Sequence, residues 1–440
     1  MSSKLKIPLP VLLLAVSMFC VWSQASASSI RTLDEAIAQV DQYQQSEQVW
    51  AQRQNMSDLS IKHSSLWKNP TFSFSNEGFQ SGKSRDTSFS ISQPLDIFGQ
   101  RKANQDIALL AGEQNQLQEK LWLAQSQLVV KYAWSQFVIA QFEADIQKTQ
   151  LAISRETLES AKKRYQAGSI ALVDYERAQI EAAENERVYQ QTILNKEIAK
   201  RFLSNLWGET EADIQIERQQ VYWPDQTERI VQSYLSAGYL EKLYALNLQQ
   251  SQQKIRQLKV TARPNPNLNF GMTQSKSPGE QNNTVLLLGV DIPLNIFNRQ
   301  QYQIPLVEQQ RQLISQQQQR ELKQQILDIA NAFHQVKGLQ LQMQSISEQR
   351  KLAEQVQKRT QQGFQAGKLS ITEIQQAGNQ LQNIRLNQIQ LLRQAWQTAL
   401  SAEALSIGSS YEEISRSDAY TQLMKQAIEQ SQSFIDLGAQ

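Results

Sequence analysis

Residues 94–98 read Pro-Leu-Asp-Ile-Phe, and residues 293–297 read Pro-Leu-Asn-Ile-Phe, 199 positions later. Two further pairs recur in the same order, at offsets of 199 and 196 residues: Tyr165-Gln-Ala-Gly168 with Phe364-Gln-Ala-Gly367, and Asn69-Pro70 with Asn265-Pro266. Three matches nearly in register indicate the duplication of a unit of about 200 residues.

Long proline-free windows flank these repeated stretches. No proline lies between Pro94 and Pro224 or after Pro305, and proline is excluded from helix interiors. Apolar side chains in both windows step by three, four or seven residues: Ile107, Leu110, Leu117, Leu121, Ala124 and Leu128, then Leu322, Ile326, Ile329, Phe333, Val336, Met343 and Ile346. This spacing predicts helices with a narrow apolar seam of the coiled-coil type.

The ends of the long helices also have sequence signals. A helix from about residue 100 to 166 would be ~100 Å long. Gly168 and Gly367 are predicted to end the two long helices in tight turns. Ser370 and Glu373 have the spacing of a capping box, which predicts the start of the next helix.

Short segments with period two surround the remaining prolines and predict two β-hairpins, at about 71–95 and 267–293. The apolar positions of the four strands are Phe72, Phe74, Phe89, Ile91, Leu268, Phe270, Met272, Leu286, Leu288, Val290 and Ile292. Ser, Thr and Asn fill most alternate positions, although the last strand carries Val285, Leu287, Gly289 and Asp291 there. Strands of about ten residues with this alternation are typical of transmembrane barrels with a polar interior.

The same pattern has an alternative interpretation, in which the protein is a secreted coiled coil that carries two soluble hairpins. Four strands cannot close a barrel by themselves, since the smallest bacterial barrels have about eight. Open strand edges are not tolerated in lipid. If these strands span a membrane, several chains must therefore share one barrel.

The first 27 residues have the layout of a secretory signal peptide. Lys4 and Lys6 precede an apolar run at 11–22, and Ala25-Ser-Ala27 supplies a cleavage site with small residues. The single cysteine, Cys20, lies inside this segment, and the bulky Phe19 before it argues against a lipoprotein. The mature chain is expected to begin near Ser28 without a thiol.

Composition excludes several classes of function. Lys and Arg number 44 against 42 Asp and Glu, a formal net charge of +2, which removes the basic surplus expected of a nucleic-acid-binding protein. The two histidines, His63 and His334, are too far apart in sequence to suggest a metal site, and a packed or tunnel-lining role is expected for His334. No catalytic motif is visible. We therefore expect no enzyme activity, no cofactor and no bound structural metal.

The sequence resembles the TolC-like outer-membrane efflux factors over roughly residues 30–408. The residues that carry the resemblance are Asn69-Pro70, Ser92-Gln-Pro-Leu-Asp-Ile-Phe-Gly-Gln-Arg101, Arg164-Tyr-x-x-Gly168, and Phe364-x-x-Gly367 followed by Glu373. The stretch Gln93-Pro-Leu-x-Ile-Phe-Gly-x-Arg101 is similar to the cobalt–zinc–cadmium branch, the outer-membrane components of heavy-metal RND efflux systems.

The resemblance implies a homotrimer with a trimeric α-helical barrel and a shared 12-stranded transmembrane β-barrel, four strands per chain. It implies a location in the outer membrane of a Gram-negative bacterium, in contact with its lipid, with the helical tunnel in the periplasm. The implied partners are a periplasmic membrane-fusion adaptor and an inner-membrane RND pump. The implied function is a passive exit duct for heavy-metal cations. The alternatives are a multidrug duct, a type I protein-secretion duct or a secreted structural coiled coil.

The resemblance also assigns roles to individual residues. The turns at 166–169 and 365–368, with Gly168, Ser169, Gly367 and Lys368, would contact the adaptor, although plain helix-turn-helix geometry also explains the glycines. Glu373 matches an acidic ring at the periplasmic mouth and would act as a cation gate. The equivalent residue in the first unit is Asp174, and a second acid of the ring is replaced by Gln376. The alternative is that these acids only stabilise helix dipoles.

The duplication divides the mature chain into a first repeat at 28–226, a second at 227–408 and a tail at 409–440. The first repeat would contain a helix, the hairpin, a long helix, the turn and a further helix. Trp207, Tyr222 and Trp223 border the junction of the repeats. They are expected to pack in an equatorial domain built from about 208–226 and the tail, whose structure the sequence leaves open.

Overall fold

The computed structural model describes residues 30–78, 84–210, 212–216, 223–279 and 281–438. The predicted signal peptide, residues 1–27, and Tyr222 lie outside the described residues. The helices are α1 (Leu33–Gln44), α2 (Ser46–Ser64), α3 (Gln100–Gln166), α4 (Leu172–Ser204), α5 (Thr227–Ala237), α6 (Tyr239–Thr261), α7 (Gln303–Gln365), α8 (Ile371–Ser406), α9 (Tyr411–Ser415) and α10 (Ala419–Gly438). The strands are β1 (Thr71–Glu77), β2 (Arg85–Pro94), β3 (Asn267–Lys276) and β4 (Asn283–Asp291).

Both predicted long helices are present. Helix α3 has 67 residues and α7 has 63, so each is ~95–100 Å long. Each ends just before a glycine in the left-handed conformation, Gly168 or Gly367, both with φ 72°. A β-carbon is strained at such a φ, which explains why glycine stands at both turns. None of the helices in the described ranges combines the length and the apolar character needed to cross a membrane.

The four longest helices pack side by side in the order α4, α3, α8, α7. Helix α3 contacts α4 and α8, and α8 contacts α7. Within the described chain, α4 and α7 therefore form the two lateral edges of this layer. The predicted seam of α7 is only partly buried as a result. Ile329 and Met343 are buried, whereas Ile326, another residue of the predicted seam, is 63% exposed in the single chain.

The strands form one antiparallel sheet in the order β1-β2-β3-β4. The register aligns Phe74 with Phe89, Phe89 with Met272, and Met272 with Leu286. Every predicted apolar position within the strands therefore falls on one face of the sheet, because side chains alternate between faces. Ile292 follows the end of β4. Three strands have nine or ten residues as predicted, but β1 has only seven.

The densest core lies midway along the layer, where the chain segment after α4 and the C-terminal tail pack against α3. Ile30 forms a parallel bridge with Ile214, and Trp207 is buried in the same cluster as Tyr420 of α10. Trp223 packs against this cluster. The tail, left open by the sequence, is mainly the 20-residue helix α10.

A buried arginine attaches the tail helix to the rest of the core. Arg53 of α2 is 3% exposed and stacks 4.3 Å from the ring centroid of Trp50. It donates hydrogen bonds to the Asn115 side chain (3.0 Å), the Gln118 side chain (2.7 Å) and the Ala427 carbonyl (2.7 Å). Burial lowers the pKa of Arg53 to about 10, so the group stays charged at neutral pH. The guanidinium thus joins α2, α3 and α10 at one point.

A buried ion pair joins the two inner helices, α3 and α8. The Lys131 ammonium lies 2.6 and 2.7 Å from the two carboxylate oxygens of Glu403, whose side chain is 1% exposed. Burial raises the pKa of Glu403, and the charge of Lys131 opposes that rise. Removing the lysine alone would leave a buried carboxylate without its cation, which is costly.

We expect Lys131→Met to lower the free energy of unfolding by about 3 kcal/mol at pH 7. Without Lys131 the pKa of Glu403 rises further, and the folded state then binds a proton more tightly than the unfolded state. Stability should therefore recover as the pH falls from 7 to 5. Thermal unfolding at several pH values measures both effects.

The double variant Lys131→Met, Glu403→Gln is the control. It carries no titrating carboxylate at this position and should lose the extra pH dependence. An equally flat pH profile in the single variant would contradict the assignment.

Candidate functional site

The two interhelical turns lie next to each other at one end of the helical layer. The Arg164 guanidinium of α3 donates to the carbonyls of Phe364 (3.2 Å) and Leu369 (3.3 Å) in the other turn. The same guanidinium lies 4.7 Å from the ring centroid of Phe364, which is fully buried. Arg164 therefore holds both turns at the same level.

The four residues predicted for the turns have matching backbone geometry. The Gly168 amide donates to the Tyr165 carbonyl and the Gly367 amide to the Phe364 carbonyl, both at 2.9 Å. The following amides donate to the carbonyl five residues back, at 2.8 Å for Ser169 and 2.9 Å for Lys368. Gly168, Ser169, Gly367 and Lys368 are all exposed. The turns thus present a paired surface of backbone groups with two glycines, the Ser169 hydroxyl and the Lys368 ammonium.

Glu373 occupies the first turn of α8 and forms the predicted capping box. Its carboxylate accepts hydrogen bonds from the Ser370 amide (2.7 Å) and the Ser370 hydroxyl (2.8 Å), while the Glu373 amide lies 3.3 Å from the Ser370 hydroxyl oxygen. The hydrogen bond from the Ser370 backbone, followed by that from its side chain, holds the pKa of Glu373 below its usual range. The side chain is exposed and charged at neutral pH.

The equivalent position in the first unit is built differently. Asp174 follows Ala171, which offers no side-chain cap, and its carboxylate lies 3.7 Å from the Arg177 guanidinium. Gln376 is exposed one turn beyond Glu373. The structure therefore places Asp174, Glu373 and Gln376 near the paired turns but gives a capping role only to Glu373.

The lateral edges of the layer carry exposed apolar side chains that the sequence did not single out. Helix α4 exposes Ile180 (71%) and Leu194 (54%), and α7 exposes Leu341 (62%), Leu352 (64%) and Val356 (50%). On each helix the spacing follows the heptad repeat, which places these side chains on one stripe. The signal was present in the sequence as steps of four, eleven and fourteen residues. The sequence alone could not show whether such a stripe packs against a helix of the same chain or lies exposed at the edge of the layer.

The sheet also leaves one apolar face uncovered. Phe72, Phe270, Leu286 and Leu288 are 64, 57, 69 and 76% exposed. The opposite face carries hydroxyls, and the Ser88 and Thr273 hydroxyls lie 2.9 Å apart. In the described part of the chain, β1 pairs only with β2 and β4 only with β3, so both outer strands have a free edge.

The histidines and acids do not assemble into a metal centre. Among the residues that the structure describes, no three His, Cys, Asp or Glu side chains lie close enough together to hold a metal ion. His63 and His334 are both exposed in the single chain. His334 is therefore not packed within the chain, and its tunnel-lining position stays a prediction. Its neighbour Phe333 takes the inward position instead.

Comparison with known proteins identifies the fold. Residues 243–409 match the family model described as outer membrane efflux protein. This is a family of efflux channels and not of enzymes, in agreement with the expected lack of catalysis. No curated protein matches the sequence.

Several solved structures share the fold. The outer membrane protein VceC from Vibrio cholerae superimposes with a TM-score of 0.65 at 15% identity, over 86% of this chain and 96% of VceC. The Campylobacter jejuni CmeC outer membrane channel gives a TM-score of 0.62 at 14% identity, over 98% of each chain. CusC, described in a study of transmembrane channel formation, gives 0.63 at 15% identity, over 86% of this chain and 92% of CusC. The predicted fold of long helices with a small antiparallel sheet is therefore confirmed.

Proposed function

We propose that this protein is the outer-membrane duct of a tripartite efflux system, a homotrimer through which substrates leave the cell passively. The observation that carries the proposal is the four-stranded sheet, which combines an exposed apolar face with two free edges. In water such a sheet would aggregate, because its edges and its apolar face are both unsatisfied. A shared barrel in lipid satisfies both at once.

Sharing the sheet among three copies gives a barrel of a stable size. Four strands from each chain make 12 strands in total, within the range of bacterial barrels. The hydroxyl-rich face, which also carries Val285 and Leu287 of β4, then lines the interior. The phenylalanine side chains and the remaining strand leucines face lipid. This arrangement implies an outer-membrane location, export guided by residues 1–27, and helices that extend into the periplasm.

The lateral edges of the helical layer support the same assembly. Counted from the paired turns, Ile180 is eight residues into α4 and Val356 is nine residues from the end of α7. Their heights along the helices are ~12 and ~14 Å. Leu194 and Leu341, at 22 and 24 residues, match in the same way. The α4 edge of one copy can therefore pack against the α7 edge of the next copy.

Charges between these apolar levels also match. Arg187 of α4, which also pairs with Glu184 of its own helix, and Glu348 of α7 are exposed, 15 residues from the start of α4 and 17 from the end of α7. Because the two edges differ, contact between them is heterologous, and such contacts form a closed ring when the rotation closes. A closed ring of helices gives a hollow tunnel in line with the barrel.

We expect Ile180→Cys combined with Val356→Cys to form disulfides between copies. The only native cysteine, Cys20, lies in the predicted signal peptide, so the mature chain offers no competing thiol. Matched heights bring the two β-carbons within reach of a disulfide, which needs them ~4 Å apart. Non-reducing gel electrophoresis should show dimers and trimers that reducing agent removes.

The matched control is Ile180→Cys with Leu341→Cys. It joins the same two edges but misplaces the thiols by 15 residues, or ~22 Å. Equal crosslinking in both variants, or none in either, would rule out this register.

The paired turns are the proposed docking surface for the adaptor. Gly168, Ser169, Gly367 and Lys368 are exposed at the end of the layer farthest from the sheet, where an inner-membrane pump and its periplasmic adaptor would approach. Arg164 fixes both turns relative to each other, so a partner meets a preformed surface. We propose that the chain divides into two repeats, 28–226 and 227–408, and a tail at 409–440. The reason is that the two turns and the two hairpins occupy equivalent positions in the repeats.

Glu373 is the proposed gate residue. In a ring of three copies, three charged carboxylates would face one another near the tunnel mouth, with Asp174 and Gln376 close by. A ring of carboxylates in a narrow aqueous pore favours cations. The lowered pKa of Glu373 keeps the ring charged at neutral pH.

We expect Glu373→Gln to reduce the preference for cations over anions on the order of twofold in planar bilayers. A glutamine side chain still accepts hydrogen bonds from Ser370, so the helix start is retained while the charge is lost. Glu413→Gln is a matched control, because Glu413 forms the same capping box with Ser410 far from the turns. Unchanged selectivity in the Glu373 variant would leave this residue with a capping role alone.

Heavy-metal cations are the proposed cargo. The proposal rests on the similarity of residues 93–101 to the heavy-metal branch and on the acidic position at the tunnel mouth. A multidrug or protein-secretion duct of the same fold is the second candidate, because the wettable barrel interior does not select among these substrates.

Deletion of the gene in its host should lower tolerance to at least one of zinc, cobalt, cadmium and copper several-fold, with tolerance to dyes and antibiotics retained. Growth inhibition assays measure both, and complementation with the intact gene is the control. Broad drug sensitivity with unchanged metal tolerance would be consistent with the proposed duct but would contradict heavy-metal cations as its cargo.

A further inference from the structure

A cavity of about 580 Å³ lies at the end of the sheet where all four strands join helices. Three of its walls are the segments that lead into β1, out of β2 and into β3, and the start of α3 forms another. The lining includes Trp67, Lys68, Asp96, Arg101 and Arg263. The proposed duct has no use for this cavity, since solute passes along the tunnel axis.

The cavity is strongly basic. Lys68, Arg101 and Arg263 line it with a single carboxylate, Asp96. That carboxylate already accepts hydrogen bonds from the backbone amides of Gln100 (2.7 Å) and Arg101 (2.9 Å). Within the described ranges, none of the three cations forms an ion pair with an acidic side chain. The cavity therefore carries three positive charges against one negative charge, and none of the three cations is held in a direct ion pair by a described residue.

Aromatic rings hold two of these cations in place. The Arg101 guanidinium lies 4.4 Å from the ring centroid of Trp67, and that of Arg263 lies 5.6 Å from the ring centroid of Phe98. Stacking leaves the edges of both guanidinium groups free to donate hydrogen bonds. Phosphate esters fit such groups because guanidinium donates two parallel hydrogen bonds to phosphate oxygens.

A further polar atom at the cavity lacks a partner. The side-chain oxygen of Asn265 is buried and accepts no hydrogen bond from the described residues, although the Asn265 amide donates to Gln100 at 3.1 Å. This oxygen needs a donor.

The surroundings of the cavity are apolar. Leu66, Trp67 and Ile97 are 63, 57 and 60% exposed, and Phe297 is 91% exposed beside the end of β4. These side chains continue the uncovered apolar face of the sheet towards the helices. Aromatic and basic residues together mark the level of lipid head groups in membrane proteins.

We propose that this cavity binds the phosphodiester head group of a membrane phospholipid, with the acyl chains along the apolar face of the sheet. Arg101, Arg263 and Lys68 contact the phosphate. The inference rests on the proposed function, which places this end of the sheet at the periplasmic boundary of the membrane. A bound lipid would fix the depth of the strands at the point where they join the helices.

The test uses the purified full-length protein in detergent with dioleoyl-phosphatidylglycerol as the probe. Native mass spectrometry should detect retained lipid, and the lipid should raise the thermal unfolding midpoint. Dioleoylglycerol, which has the same chains without phosphate, and inorganic phosphate should do neither. The variant Lys68→Gln, Arg101→Gln, Arg263→Gln should bind the phospholipid about tenfold more weakly.

The control variant Lys148→Gln, Lys162→Gln, Lys323→Gln removes the same number of charges from exposed helix positions and should bind like the wild type. The single variant Arg101→Gln, with helix content verified by circular dichroism, covers the case in which the triple variant misfolds. Equal binding by both triple variants overturns the proposal, and stabilisation by inorganic phosphate alone assigns the cavity to a free anion instead. The binding assay does not depend on membrane insertion. If the protein fractionates with the outer membrane but does not bind the phospholipid, the lipid site is wrong and the proposed duct function still stands.

Discussion

The strongest constraint on this protein is that the described part of one chain leaves its four-stranded sheet open at both edges. Two outer strands carry unpaired backbone groups, and one face exposes a continuous set of large apolar side chains. Backbone hydrogen bonds that are missing in lipid cost several kcal/mol each, so an open sheet is not viable there. The rest of the fold follows from how this sheet is connected, because every strand joins a long helix at the same end.

The helical layer, like the sheet, leaves its two lateral edges uncovered within the described chain. The inner helices α3 and α8 are covered on both sides and hold the buried pair of Lys131 and Glu403. The outer helices α4 and α7 are covered on one side only and keep apolar stripes on the other. Sheet and helices thus end in unsatisfied lateral edges, and the proposed ring of copies would satisfy both.

The duplicated units have diverged where they meet at the turns. The two turns share their backbone hydrogen bonds and their left-handed glycines, yet only the second has a capping serine. Glu373 is therefore fixed by Ser370, whereas Asp174 is held more weakly by Arg177. A carboxylate whose position and charge are set by a cap is well suited to a role in a narrow passage. The first unit contributes Arg164, which ties the two turns together.

Much of this architecture could be predicted from the sequence, because its signals are local. Proline placement and apolar spacing predicted α3 to its terminal residues, period-two alternation predicted the strands, and the spacing of Ser370 and Glu373 predicted the cap. Other features depend on contacts between residues far apart in the chain, and periodicity carries no such information. The exposure of Ile326, the lateral stripes at Ile180 and Val356, and the tail helix anchored by Arg53 were decided by which helices are neighbours. The basic cavity at Arg101 and Arg263 likewise exists only because four separate segments converge at one end of the sheet.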